Sequence, residues 1–169
     1  MKEQIRFVLK GGEVLRYHTI RTLQQDSVGY HSFGVAWFVW FLRPESRTML
    51  IMAALAHDLA EHKTGDLPAP TKRELGIGPQ FAALEEGILR HIGLHFELDK
   101  EEERILKLAD CAQGALFCTR ERSLGNRGVD VVWARYIEYI RERLMDEPKE
   151  QELLDTLLQL WQEAQNGEL

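Results

Sequence analysis

The chain has too few cysteines for a disulfide framework and too short an apolar run for a membrane span. Only two of its 169 residues are cysteine, and two thiols cannot build the cross-linked scaffold of a small secreted domain. The longest strongly apolar run, Val35–Leu42, is shorter than a bilayer requires. The first residues carry mixed charge and no apolar signal-peptide segment. We therefore expect reduced core thiols, no membrane span and a cytoplasmic location.

A broad excess of basic residues is also lacking. The sequence has 21 Lys and Arg against 27 Asp and Glu, a formal charge of −6. A nucleic-acid polymer is bound through a basic surface that releases counterions, so this charge argues against such a partner. A small phosphorylated molecule needs only a few local cations and stays possible. The 44% hydrophobic content and the length favour one domain, residues 1–169, with a full core.

Segments that alternate with period two are absent, and apolar residues recur with helical spacing nearly throughout. The pattern predicts an all-α bundle of about six or seven helices. The third helix is apolar on nearly all sides, which predicts a central and buried position. Glycine and two prolines in the segment 65–71 predict a rigid loop. The predicted helices are a short first one that ends at Gly11-Gly12, then about 28–43, 47–61, 79–92, 100–124, 129–145 and 148–165.

An adjacent His57-Asp58 pair interrupts the apolar run of the third helix. A hydrogen-bonded core histidine beside a capping carboxylate is the structural alternative. However, His31 and Asp110 lie in similar apolar helical surroundings, and two imidazoles with two carboxylates suit one divalent metal ion. We therefore predict that His31, His57, Asp58 and Asp110 are metal ligands from three helices, an arrangement that bundle-core metal sites commonly use.

Glu61 follows Asp58 by three residues, so a continuous helix would place both side chains on one face. A carboxylate close to a metal but not needed as a ligand is suited to be a general base or to orient water. We predict that role for Glu61.

The motifs in which these residues occur resemble the HD phosphohydrolase superfamily. They read Ser27-VGYHS-Phe33, Ala56-HDLAEHKTGDLPAP-Thr71 and Ile105-LKLAD-Cys111. The second motif is much more specific to one family than the bare His-Asp pair. With Arg16-Tyr17 upstream, they resemble the compact 5′-deoxynucleotidase branch and, within it, phage dATP triphosphohydrolases. The resemblance covers about residues 14–123, and helices over 128–165 would complete the bundle. The resemblance does not decide whether the cytoplasm is that of a bacterium or, if a phage encodes the protein, that of its host cell.

The resemblance implies hydrolysis of 2′-deoxynucleotide phosphates with one divalent transition metal, zinc, cobalt or manganese, and possible Mg²⁺ on the substrate phosphates. It implies that Asp66 supports the leaving oxygen or the sugar, that Arg16 binds phosphate and that Tyr17 packs against the sugar or base. Deoxynucleotidases generally carry tryptophan and an acidic residue where this chain has Tyr17 and Tyr30.

Several cations and histidines near these motifs have two interpretations. Lys72 and Lys107 are candidate phosphate contacts, since Lys107 shares a helical face with Asp110, but surface lysines are commonly only solvated. His18 is a candidate pocket residue. His62 is uncertain, and the i, i+4 pair His91 and His95 is either a partly exposed polar pair or part of a second metal site.

Two classes of function fit the sequence. The first is an enzyme that releases triphosphate from a dNTP, with dATP preferred, or phosphate from a dNMP; hydrolysis of cyclic nucleotides or alarmones is a further alternative. The second is a nucleotide-binding module without chemistry, which has little reason to keep a costly buried carboxylate cluster.

Apolar residues on two helices also predict a homo-oligomer: Trp37, Trp40, Phe41, Leu153, Leu157, Leu160 and Trp161.

Overall fold

The computed structural model describes residues 1–169 and consists of helices joined by short connections. An isolated bridge between Leu15 and Ser27 is the only β-type pairing. The all-α prediction is confirmed, and seven of the helices have nine or more residues. No helix is long and apolar enough to cross a membrane. The helices are α1 Lys2–Gly12, α2 Val28–Leu42, α3 Thr48–Ala56, α4 Glu61–Thr64, α5 Ala69–Glu74, α6 Gly78–Ile92, α7 Lys100–Ser123, α8 Asp130–Arg141 and α9 Pro148–Asn166.

Helix α7 is the centre of the bundle and packs against α2, α8 and α9. It begins with a capping box in which the Asp99 carboxylate accepts the Glu102 N–H and the Glu102 carboxylate accepts the Asp99 N–H. Apolar residues along α7 lie in the largest core cluster, among them Ile105, Leu108 and Ala112. Because Asp110 lies on this helix, the core fixes its position.

Helix α3 differs from its prediction in both burial and length. Met49, Met52 and Leu55 are 38–39% exposed, so α3 lies at the side of the bundle rather than at its centre. The helix ends at Ala56 instead of Glu61. The His57 ring donates Nδ1–H to the Ala54 carbonyl over 2.8 Å, and this is the carbonyl that the Asp58 N–H would bond in a continued α-helix.

The segment after α4 is partly helical, which corrects the prediction of a loop over 65–71. Residues 65–68 are irregular, and Gly65 adopts a positive φ of 76°. Helix α5 then begins at Ala69, with Pro70 in its first turn, where the missing N–H of proline costs no hydrogen bond.

The C-terminal helix α9 is part of the core of this chain. Leu153, Leu157 and Trp161 are buried, and the Trp161 ring stacks on Trp133 of α8 with centroids 4.2 Å apart. These side chains are therefore not available to a second copy, and this part of the argument for an oligomer is wrong. Trp37, Trp40 and Phe41 of α2 are exposed, as that argument requires.

Candidate metal centre

Three of the predicted metal ligands converge on one point. The Nε2 atoms of His31 and His57 lie 3.3 Å apart, and an oxygen of Asp58 lies 3.5 Å from the first and 3.2 Å from the second. All three ligand atoms lie within 4.8 Å of one another. Asp110 reaches the cluster from α7, with one carboxylate oxygen 3.2 Å from His31 Nε2.

Both imidazoles are oriented with Nε2 towards this point by acceptors at Nδ1. The His31 ring, which is fully buried, contacts the side-chain oxygen of Gln113 through Nδ1, and His57 Nδ1 donates to Ala54. A proton on each Nδ1 leaves each Nε2 with a free lone pair, which is the form that binds a metal. Two lone pairs and two carboxylates facing one another repel, so this donor set fits a bound cation.

Gln113 was not among the predicted site residues, although the sequence contains a signal for it. It follows Asp110 by three residues on the same face of α7 and is a buried amide in an apolar stripe. Gly34 of α2 provides the space, because a Cβ there would lie 2.7 Å from Gln113 Cγ.

The charges around the cluster favour ionised carboxylates. Burial alone would raise the pKa of Asp58, but the neighbouring His57 and His31 hold that pKa below its usual value. Burial also opposes ionisation of Asp110, yet Lys107 and His31 lower its pKa. The Lys107 ammonium lies 2.5 Å from the outer carboxylate oxygen of Asp110, which raises the pKa of Lys107. Lys107 is thus at the site, as predicted.

Glu61 is buried beside the cluster and has a free acceptor. Its Oε2 has no hydrogen-bond partner, and burial, with Asp58 and Asp66 nearby, raises its pKa to about 9. It lies on α4, after the turn that follows α3, so it does not continue the helical face of His57 and Asp58. Within that turn the Glu61 N–H donates to the Asp58 carbonyl over 3.0 Å, so a tighter, 3₁₀-type i, i+3 hydrogen bond keeps the two residues close.

Arg16 is nearly buried beside the cluster and is held by Asp26. The two side chains approach within 3.6 Å, and Asp26 is 1% exposed. Burial opposes the charge of Arg16, but Tyr17, Asp58 and Asp110 outweigh it and raise the Arg16 pKa. The atom that faces Asp26 is Nη1, which makes no hydrogen bond at this distance. Arg16 is thus a buried cation beside the cluster, where its planar guanidinium suits an anionic group.

The segment between α1 and α2, which carries Arg16, is hydrogen-bonded to Glu121 near the end of α7. The Arg16 N–H donates to the Asp26 carbonyl over 2.9 Å. Further along, the N–H groups of Leu23 and Gln24 each donate to the Glu121 carboxylate over 2.7 Å. Glu121 is fully buried. These bonds hold the segment in place although its residues form no helix.

The remaining predicted substrate residues divide into two groups. His18 is half exposed, and its Nδ1 lies 3.5 Å from an oxygen of Asp66, whose charge contributes to the raised pKa of Glu61. Lys72 instead lies 3.8 Å from Glu85 and 4.3 Å above the Phe81 ring, on the side of α6. Glu85 was not predicted; burial raises its pKa, and Asp58 and Asp66 act in the same direction.

The other histidines do not join the cluster. His62 Nδ1 donates to the Leu59 carbonyl over 3.0 Å, and its ring packs edge-on against Phe7. His91 is exposed, and His95 lies 3.3 Å from Glu97. His95 and His57 border a cavity of about 250 Å³ between α3 and α6 that is otherwise mostly apolar.

Known proteins resemble this chain in sequence. It is 27% identical over 161 residues to a dATP triphosphohydrolase of Cyanophage S-2L, with 89% of this chain and 88% of the relative covered. It is 28% identical over 158 residues to a 5′-deoxynucleotidase of Vibrio atlanticus, with 77% and 80% covered.

Solved structures share the fold. An HD-domain phosphohydrolase of Listeria innocua superposes with a TM-score of 0.73 at 18% identity, covering 99% of this chain and 91% of the other. The Cyanophage S-2L HD phosphohydrolase, bound to dA and one catalytic Zn²⁺ ion, superposes with a TM-score of 0.66 at 20% identity, covering 94% and 96%. At these identities the superpositions establish the helical architecture.

The family model of the HD domain matches residues 11–108. That segment is more than half of the chain and contains His31, the His57-Asp58 pair and Glu61, while Asp110 follows directly after it. The chain therefore belongs to the HD domain family.

Proposed function

We propose that this protein is a metal-dependent phosphohydrolase of 2′-deoxynucleotides, with dATP and release of triphosphate as the preferred reaction. The observation that carries the proposal is the convergence of His31 Nε2, His57 Nε2 and an Asp58 oxygen within 4.8 Å of one another in an HD-family chain. A site without chemistry has no need to gather uncompensated lone pairs and carboxylates in the core.

His31, His57, Asp58 and Asp110 would hold one divalent ion, for which zinc, cobalt and manganese suit the mixed nitrogen and oxygen donors. Bound there, such an ion supplies Lewis-acid chemistry towards a phosphoryl oxygen and the attacking water. Gln113 and Ala54 support this by keeping both Nε2 lone pairs directed at the same point. Mg²⁺ would accompany the substrate phosphates.

The other residues have separate roles in the proposed reaction. With a divalent ion bound, whose positive charge would lower the pKa of Glu61 from its raised value, Glu61 would accept a proton from the water as the water oxygen bonds to the α-phosphorus. The bond between that phosphorus and the 5′-oxygen breaks, and the 5′-oxygen takes up the proton that Glu61 removed from the water, at the end of the site where Asp66 lies. Arg16 binds phosphate through its guanidinium group. The products are a deoxynucleoside and triphosphate, or phosphate when the substrate is a dNMP.

The proposed substrate class rests on the activities for which the relatives are named and on two lysines. The relatives in phage and in Vibrio are named for dATP triphosphohydrolase and 5′-deoxynucleotidase activities, so removal of a single phosphate from dNMPs is the alternative. A non-catalytic nucleotide-binding module is the alternative of another class. Lys107 beside Asp110 and Lys72, which pairs with Glu85 in the absence of substrate, provide more cations than a monophosphate requires, which favours the triphosphate.

We infer further that residues 1–169 act as one domain, because α8 and α9 pack on α7. The partner is a small deoxynucleotide rather than a nucleic-acid polymer, in agreement with the net charge of −6. We also infer a cytoplasmic homo-oligomer, supported by the exposed aromatic residues of α2.

A substrate panel tests the function directly. Metal-reconstituted protein is incubated with dNMPs, dNTPs and ribonucleotides, and phosphate, pyrophosphate and triphosphate are separated. We expect deoxyadenosine and triphosphate from dATP. Release of phosphate from dAMP with dATP untouched would favour the 5′-deoxynucleotidase alternative, and turnover of no nucleotide would favour the non-catalytic module.

Neutralising the lysines distinguishes the two enzyme reactions. The double variant Lys72→Gln/Lys107→Gln should depress dATP turnover far more than any dAMP turnover, because only dATP has β and γ phosphates to bind. The exposed pair Lys10→Gln/Lys100→Gln is the matched control, and metal content is measured in each variant because Lys107 pairs with Asp110. Equal effects on both substrates would contradict the assignment.

A further inference from the structure

Tyr17 has an unusual backbone conformation. Its φ is 59°, and it is the only non-glycine residue of the chain with a positive φ. Bulky residues rarely occupy this left-handed region, which is strained for them and persists only where the surroundings enforce it. The contacts of the Tyr17 side chain must therefore supply the stabilisation.

Two aromatic residues from different helices provide those contacts. The Tyr17 ring stacks on Phe117 of α7, with centroids 4.7 Å apart and planes 15° apart. Its hydroxyl lies 3.0 Å from the hydroxyl of Tyr136 on α8. Tyr136 lies beyond residue 108, outside the part of the chain that matches the HD-domain model.

The position of Tyr136 depends on a glycine one turn from a proposed metal ligand. A Cβ at Gly114 would lie 2.5 Å from Cζ of Tyr136, so the absence of a side chain there admits the ring. Gly114 follows Asp110 by four residues on α7 and hence lies above it on the same face. The paired tyrosines thus lie on the Asp110 side of the candidate metal centre.

Arg16 connects this pair to the proposed phosphate position. Its guanidinium carbon lies 5.5 Å from the centroid of the Tyr17 ring, and its side chain lies against Asp26 on the other side. A nucleotide whose phosphate binds Arg16 and the metal centre would have its sugar next to this aromatic wall. In the hydroxyl pair, one phenol donates to the other and fixes both rings.

We propose that Tyr136 is a specificity-determining residue: by bonding to Tyr17 it holds that ring against the sugar, so that a 2′-hydroxyl has neither room nor a partner. The proposal rests on the proposed function, since it names the group that enforces the preference for deoxynucleotides. Tyr136 acts through Tyr17 and is a positioning residue rather than a catalytic one.

The test compares Tyr136→Phe with Tyr139→Phe on the same helix. Tyr136→Phe keeps the ring on Gly114 and removes only the bond to Tyr17, whereas the Tyr139 ring lies under Arg143. For each protein, the ratio of kcat/KM for dATP to that for ATP is measured. Affinities for the two nucleotides are measured separately in the metal-loaded Glu61→Gln background.

We expect Tyr136→Phe to lower the deoxy-to-ribo ratio about 5- to 10-fold, the usual effect of one hydrogen bond, chiefly through better acceptance of ATP. Tyr139→Phe should leave the ratio unchanged. Tyr17→Phe keeps the stack on Phe117 and should lower the ratio equally, and the double variant Tyr17→Phe/Tyr136→Phe should lower it no further.

An unchanged ratio in Tyr136→Phe and Tyr17→Phe, or an equal loss in Tyr139→Phe, would overturn the inference while dATP hydrolysis by the wild-type protein upholds the proposed function. If the wild-type protein neither binds nor hydrolyses any deoxynucleotide, the proposed function fails and the inference fails with it.

Discussion

Buried imidazoles and carboxylates dominate the site at the scale of single residues. His31 is fully buried and faces His57, Asp58 and Asp110 within 3.5 Å. Each imidazole has an acceptor at Nδ1, so its Nε2 is left for a metal. Glu61 lies beside this group, and its Oε2 has no hydrogen-bond partner. We therefore propose that it acts as a general base and not as a metal ligand.

Replacing Glu61 tests its proposed role as a general base. Glu61→Gln should keep the metal and bind dATP but lose about 10² to 10⁴ in kcat, the usual contribution of a positioned general acid or base. Single-turnover rates and elemental analysis are measured together, and Glu86→Gln on the solvent side of α6 is the matched control. Near-normal turnover by Glu61→Gln would assign proton transfer to another group, such as Asp66.

The polar residues at the core were predictable because polarity inside an apolar run is visible in a sequence. His31, His57, Asp58 and Asp110 were all identified in this way, and their roles as ligands stay predictions. Tyr136 and Glu121 were missed because their partners are remote: the two tyrosine hydroxyls that meet are 119 residues apart in the chain. No local pattern encodes such a pairing.

At the scale of elements, α7 and the turn after α3 determine the site. The apolar stripe of α7 was predictable from its period, and so was its start at Asp99. The end of α3 was not, because helical periodicity continues to Glu61 while one imidazole takes the carbonyl of Ala54. That local competition moves Glu61 onto a separate short helix, α4.

A buried carboxylate connects α9 to the beginning of α7 and the end of α2. Glu150 is fully buried and accepts hydrogen bonds from Arg104 at 2.7 and 2.9 Å, from Arg43 at 3.0 Å and from the Met145 N–H at 2.9 Å. Burial opposes its ionisation, but Arg104 and the Met145 N–H lower its pKa. Glu150 is therefore an anion that holds two cations at the junction of three helices.

Glu150→Ala should lower the free energy of unfolding by about 1.5–3 kcal/mol, because it removes the charged hydrogen bonds to Arg104 and Arg43 while both arginines keep Glu101 as a partner. Urea unfolding of the metal-loaded protein measures the change. Glu152→Ala, at an exposed position of the same helix, should change the free energy by no more than about 0.5 kcal/mol. Equal, small changes in both variants would show that the network contributes little.

At the scale of the whole molecule, α2 has two faces of different character. Its inner face carries His31 and core valines, while Phe33, Trp37 and Trp40 are at least 50% exposed on its outer face. The Trp37 ring meets both of the others edge-on. Aromatic residues grouped on a surface are typical of a contact between protein copies.

We predict that the protein is a homo-oligomer at micromolar concentration and that Trp37→Glu/Trp40→Glu makes it monomeric, because charge at a buried contact is costly. Sedimentation velocity measures the mass of each. Leu84→Glu, an exposed apolar position on α6, is the control and should keep the wild-type mass. A monomeric wild-type protein would contradict the prediction.

Titration of the metal-free protein with Zn²⁺, Co²⁺ or Mn²⁺, with bound ion and dATP hydrolysis followed together, tests the central claim most directly. The four converging side chains predict that binding and hydrolysis saturate together at one ion per chain and that Asp58→Ala shows neither. Hydrolysis without a metal, or hydrolysis that requires two ions per chain and depends on His91, would contradict the account.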